Sequence, residues 1–187
     1  SGTNRTNSKT RRVADLVHEA LETRGEEAVL LDLAELPIEI FSGIAYASKP
    51  ESFARFQKTV LSTDGVLTVV PEYNGSFPGV LKYFIDLLRF PESLYEKPAA
   101  FIGISSGRWG GVRAVEQLEM IFQYRHAQLF GRRCFIPNVG KKIDEILVRG
   151  EHVDHRLQVV KRRVGLAFDV YSTRLFGKVR AGVPPPL

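Results

Sequence analysis

The stretch GVLTVVPEYNGSFPGVLKYFIDLL, residues 65–88, joins an apolar run to an amphipathic one through a loop of Pro, Asn, Gly and Ser. Residues 65–70 are β-branched and almost wholly apolar, which suits a strand buried on both faces. Residues 79–90 read as an amphipathic helix. Pro71 ends the strand, and Pro78 stands beside the helix start, where its missing N–H costs nothing. Between them, Tyr73, Asn74 and Gly75 form either a plain turn or a backbone with so few side chains that a planar ring edge can meet it, since Gly75 holds nothing away. Tyr, Asn and Ser together favour the second reading.

Outward from this stretch the same alternation continues. Ser8 precedes a helix with Val13, Leu16, Val17, Ala20 and Leu21 on one face, and Gly25 ends it. Residues 28–33 read as a short buried strand. A long connection containing Pro and Gly spans 35–49, and Pro50 opens a helix carrying Phe53, Phe56, Val60 and Leu61. A strand at 99–104 leads into a small-residue loop, 105–111. A helix from 112 to about 129, a strand near 133–136 and a closing helix complete the series. Strands alternating with helices imply a parallel sheet covered on both sides, in one domain over residues 1–187. The first helix has no strand before it, so the expectation is that the first strand lies upstream of residue 1.

In an open parallel sheet, ligands bind beyond the carboxyl ends of the strands. Three segments meet that address: 1–10, 71–78 and 105–111. The first is rich in hydroxyls and amides and enters a helix, so backbone N–H groups, Thr3, Ser8, Thr10 and Arg5 would suit a phosphate monoester. Capping by Ser8 after a solvated loop accounts for it equally well. The third sets Gly107, Gly110 and Gly111 around Arg108 and Trp109, which allows close approach to a ring face or simply makes a glycine-rich corner. Neither a Walker loop nor Gly-x-Gly-x-x-Gly occurs, which favours a mononucleotide over a triphosphate or dinucleotide as the held group.

The 187 residues, 44% hydrophobic and 25% charged, fit one domain with a sizeable core. No apolar run approaches the roughly 18 residues of a membrane span, and no secretory signal is evident, so a cytoplasmic protein is expected. The single Cys134 excludes internal disulfides and reads as an inert core thiol. The net charge of +5 raises anionic partners. Residues 156–180 carry Arg156, Lys161, Arg162, Arg163, Arg174, Lys178 and Arg180 against Asp169, interleaved with apolar positions at helical spacing. A solvated basic helix face is preferred there over a nucleic-acid patch, and nucleic acid is not the expected partner. His152 and His155 beside Glu151 and Asp154 have ligand-like spacing, but a charged helix start is preferred and no metal is expected.

Gly2-Thr3-Asn4-Arg5-Thr6-Asn7-Ser8, Pro71-Glu72-Tyr73-Asn74-Gly75-Ser76 and Ser105-Ser106-Gly107-Arg108-Trp109-Gly110-Gly111 resemble the three flavin loops of the NAD(P)H-dependent FMN reductase family, which includes quinone, azo-dye and chromate reductases. The resemblance covers roughly residues 1–140, with Pro-Glu-Tyr-Asn before a helix its most specific part. Residues 141–187, with the basic helix and Pro184-Pro185-Pro186, extend beyond it. It implies a flavodoxin-like three-layer α/β sandwich with a five-stranded parallel sheet of order 2-1-3-4-5, and a homodimer or homotetramer. It places Thr3, Arg5, Asn7 and Ser8 at the FMN phosphate. Pro71, Glu72, Tyr73 and Asn74 fall at the isoalloxazine edge, and Ser106, Gly107 and Gly110 border the other side; Gly75, Arg108 and Trp109 are read as cofactor-binding beside them from the composition of the loops. The implied activity is FMN-dependent hydride transfer from NADPH or NADH to a small-molecule electron acceptor: a quinone, azo compound, metal oxyanion or free flavin. The flavin carries the chemistry, so no catalytic side chain is expected. A flavin-holding electron carrier or redox-sensing partner is the alternative. Arg108 would favour NADPH through its extra phosphate, and 41–46 with Trp109 would wall the acceptor pocket.

Overall fold

The computed structural model describes residues 1–141 and 143. Helix α1 (Lys9–Glu22) begins at Ser8, whose side chain accepts from the Arg11 N–H at 3.1 Å. It ends where Gly25 takes φ +77° and the Glu26 N–H reaches back to the Leu21 carbonyl at 3.1 Å, closing the helix end with a left-handed glycine. Helix α2 (Ala54–Ser62) follows a tight first turn after Pro50, and α3 (Gly79–Leu87) follows Pro78. Helix α4 (Val112–Tyr124) follows the third loop.

The sheet is parallel. Strand β1 (Val66–Pro71) pairs with β2 (Pro98–Ile104) from Val66 opposite Ala99 to Pro71 opposite Ile104. The other edge of β2 is shared: β3 (Gln128–Leu129) pairs with its start and β4 (Cys134–Ile136) with its end. Alternate residues face opposite ways, as a pleat requires. Val69, Ile102, Ile104 and Cys134 pack with Val13, Ala14, Val17 and Leu21 of α1 and with Val139 and Ile143. Val70, Ala99 and Phe101 pack with the apolar faces of α2, α3 and α4. The sheet is therefore covered on both faces.

Three expectations are corrected by the backbone. Residues 28–33 form no regular strand; the N of Ser1 donates to the Leu31 carbonyl at 2.7 Å and Leu33 donates to the Ser1 carbonyl at 3.2 Å, and two such bonds do not make a ladder. The helix expected over 79–90 stops at Leu87. The helix expected to reach about 129 stops at Tyr124, because His126 turns to φ +59° and Gln128–Leu129 enters the sheet. Within the connection 35–49, the short turns Ile38–Phe41 and Gly43–Tyr46 bury Ile40 and Ala45 completely. The basic helix at 156–180, the proline-rich end and the His152–His155 group lie outside the described residues.

Candidate cofactor site

The register of β1 against β2 puts Pro71 beside Ile104, so the loops after these strands leave the sheet side by side. The Glu72 N–H donates to the Ile104 carbonyl at 3.0 Å, and Gly2 donates to the Val69 carbonyl at 2.9 Å. All three candidate loops therefore meet on one rim. They enclose an open cleft of about 610 Å³ lined by Arg5, Glu72, Tyr73, Asn74, Gly75, Ser105, Ser106, Gly107 and Trp109.

The 71–78 loop is a tight turn that borders the cleft. Tyr73 and Ser76 exchange backbone hydrogen bonds at 2.8 and 3.0 Å, while Asn74 and Gly75 have φ of 51° and 79°. Positive φ at both central residues defines a type I′ turn, for which Asn-Gly is the favoured pair. Its outward amides, those of Asn74 and Gly75, have no partner among the described residues. Gln117 of α4 fixes the turn from behind, donating to the Gly75 carbonyl at 3.0 Å and accepting from the Ser76 hydroxyl at 2.6 Å. The Tyr73 hydroxyl meets Thr3 Oγ1 at 2.9 Å, which ties the first loop to the second.

Glu72 reaches into the cleft with one oxygen held and one free. Its Oε1 accepts from Arg113 at 3.3 Å, whereas Oε2 is buried with no partner. An unsatisfied buried carboxylate oxygen costs free energy unless a donor arrives. A flavin ring edge carries one N–H between two carbonyls, so a free acceptor beside two free backbone donors fits its polarity. The Arg5 guanidinium lies 5.8 Å from the Tyr73 ring centroid, at the end of the cleft nearest α1. The first-turn amides of α1 have no acceptor within the helix, so a phosphate there would meet both donors and a cation.

Not every expected residue lines the cleft. Thr3 is fully buried and acts through Tyr73. Ser8 is engaged as the cap of α1, and Asn7 makes the left-handed turn before it at φ 52°. Pro71 is the buried last residue of β1. Gly110 lies against β4, where a Cβ would come within 3.0 Å of the Ile136 nitrogen. Arg108 stands outside the wall, stacked on Trp109 at 4.9 Å. The sequence reading missed Ser105, Arg113 and Gln117. Arg113 and Gln117 are four residues apart on α4, hence on one face, and follow directly from the third loop; that spacing was the available signal.

A parallel sheet with helices on both faces and a polar, aromatic cleft beyond its strand ends defines an α/β protein built to hold a flat anionic ligand. Residues 1–140 match the family described as NADPH-dependent FMN reductase, and the chain belongs to that family. An NAD(P)H-dependent FMN reductase of Pseudomonas aeruginosa is 39% identical over 93 residues, 48% of this chain and 49% of that protein. The match thus spans about half of that relative's length. A quinone reductase of Pseudomonas putida is 34% identical over 127 residues, covering 62% of this chain and 68% of the relative. Among solved structures, the flavoenzyme NAD(P)H:(acceptor) oxidoreductase FerB of Paracoccus denitrificans superposes with a TM-score of 0.70 over 90% of this chain and 92% of its own, at 24% identity, and so shares the fold. The flavodoxin-like architecture and the family expected from the three loops both stand.

Proposed function

We propose that this chain is an FMN-dependent NAD(P)H oxidoreductase that reduces a quinone, azo compound, metal oxyanion or free flavin. The observation that carries the reading is the convergence of three separate loops on one cleft whose unpaired donors and acceptor match a flavin edge. FMN, when bound, would supply the two-electron redox chemistry between nicotinamide and acceptor. The chain's residues bind and orient. Arg5 and the opening amides of α1 would hold the phosphate, with Ser8 fixing the helix start and Asn7 the turn before it. Glu72 and the 74–75 amides would hold the ring edge, with Gln117 and Thr3 keeping that turn in place. Gly107, with open space where a Cβ would point, and Ser106 would border the ring on the far side.

For a quinone the balance is NADPH, a proton and quinone giving NADP⁺ and hydroquinone. The cleft is open, which lets the nicotinamide and the acceptor use it in turn. The test is steady NADPH oxidation by the FMN-loaded protein with a quinone present. Turnover that depends on FMN is expected, while a flavin that is reduced once and then waits for a protein partner would favour an electron carrier.

Two structural readings accompany this one. We infer the strand order 2-1-3-4-5, with the irregular segment 28–33 in the place of the second strand, residues 1–2 in that of the first, and β1, β2 and the β3–β4 edge following across the sheet; the bonds of Ser1 to Leu31 and Leu33 and of Gly2 to Val69 support it. A homodimer or homotetramer is supported by exposed apolar side chains, among them Ile38, Ile44 and Tyr46, and Phe90, Met120 and Tyr124, which line one cleft. A cytoplasmic location fits the finding that no described helix is long and apolar enough to cross a membrane.

A further inference from the structure

Trp109 is the chain's one tryptophan, and it lines the cleft while remaining 55% exposed. A half-exposed indole forfeits much of the burial energy that usually fixes a tryptophan, so packing alone does not account for it. The Arg108 guanidinium sits 4.9 Å from its ring centroid and has no carboxylate partner among the described residues. The other cations of this rim are differently placed. Arg113 is paired with Glu72 at 3.3 Å, and Arg5 lies over the Tyr73 ring at 5.8 Å. Beside the cleft, therefore, a flat apolar face stands next to a cation that no carboxylate neutralises among the described residues.

We propose that Trp109 and Arg108 together select the electron acceptor, favouring planar aromatic compounds that carry an anionic substituent such as a sulfonate or carboxylate. The proposal rests on the oxidoreductase reading above and names the substrate class of that same cleft. An acceptor ring stacks on the indole, and the planar guanidinium, already aligned by its own stacking, meets the anion with two N–H donors. Pre-alignment reduces the side-chain entropy lost on binding, which a free lysine at this position would not achieve. The same chemistry, a ring with an anion attached, is also present in NADPH, so the two sources must be separated experimentally.

The test compares menadione, a neutral naphthoquinone, with a naphthoquinone sulfonate as acceptors for the FMN-loaded enzyme, wild type and Arg108→Gln. The ratio of kcat/KM for the sulfonate to that for menadione should fall about tenfold in the variant, the loss expected for one charge-assisted contact of about 1.4 kcal/mol. Quenching of the single tryptophan's fluorescence, measured without NADPH, should show the same loss in the Kd of the sulfonate. An unchanged ratio overturns the proposal, as does an effect confined to the KM of NADPH. FMN uptake is titrated separately by quenching of flavin fluorescence. If Arg108→Gln abolishes uptake, Arg108 holds the cofactor and the proposal fails. If the wild-type chain takes up no FMN, the oxidoreductase reading itself fails, which is a different result from retained uptake with an unchanged ratio.

Discussion

Gly75 and Gly107 on one hand, and Gly110 and Gly111 on the other, carry the same letter in loops of similar composition and have opposite reasons for being glycine. A Cβ on Gly107 would meet nothing within 4 Å, and one on Gly75 only the Arg113 side chain at 3.8 Å. These two border the cleft, so the space they leave is available to a ligand. A Cβ on Gly111 would lie 2.7 Å from the Ile104 nitrogen, and one on Gly110 would lie 3.0 Å from the Ile136 nitrogen. Those two let one stretch of protein backbone lie against another. Small residues in a loop thus record close approach without saying what approaches.

Substitution at these positions separates the two kinds most sharply. Gly111→Ala should lose about 3 kcal/mol or more in denaturant unfolding, since it combines a backbone clash with φ +88°. Gly75→Ala, strained at φ +79° but unobstructed, should lose only about 1–2 kcal/mol. Equal losses at the two sites would dissolve the distinction. Gln117→Ala tests whether the ligand-facing turn needs support from behind: the Gly75 carbonyl and Ser76 hydroxyl lose their partners. About 1–2 kcal/mol of stability should go with them, and FMN should bind roughly tenfold more weakly, a change of about 1.4 kcal/mol.

Smaller effects refine the comparison. Tyr73→Phe removes the hydroxyl that joins Thr3 to the turn and should cost about 1 kcal/mol. Gly107→Ala should leave stability within about 0.5 kcal/mol, because its Cβ points into open space. Its expected effect is on FMN uptake alone, read by flavin fluorescence.

The order of elements was legible because apolar periodicity is strong in β1, β2 and the helices around them. It failed where pairing, not composition, decides. Residues 28–33 look like a strand but, apart from the turn bonds that Asp32 and Leu33 accept from Glu35 and Leu36, their backbone bonds run only to Ser1 among the described residues, and 128–136 divides into β3 and β4 because each half pairs with a different part of β2. Within the site, the 71–78 loop was legible because Asn-Gly between a strand and a helix has few conformations. Ser8 and Gly110 were ambiguous on sequence, since a capping hydroxyl resembles a phosphate ligand and a backbone contact resembles a ring contact. Gln117 was invisible as a site residue because its role depends on the distance between α4 and the turn.

The central claim is that these three loops hold one FMN per chain. Titrating FMN into purified protein and following the quenching of flavin fluorescence tests it most directly. The account predicts saturable uptake at a one-to-one ratio, weakened by Gln117→Ala. A titration with no quenching, or one whose affinity is the same in that variant as in the wild type, would contradict it.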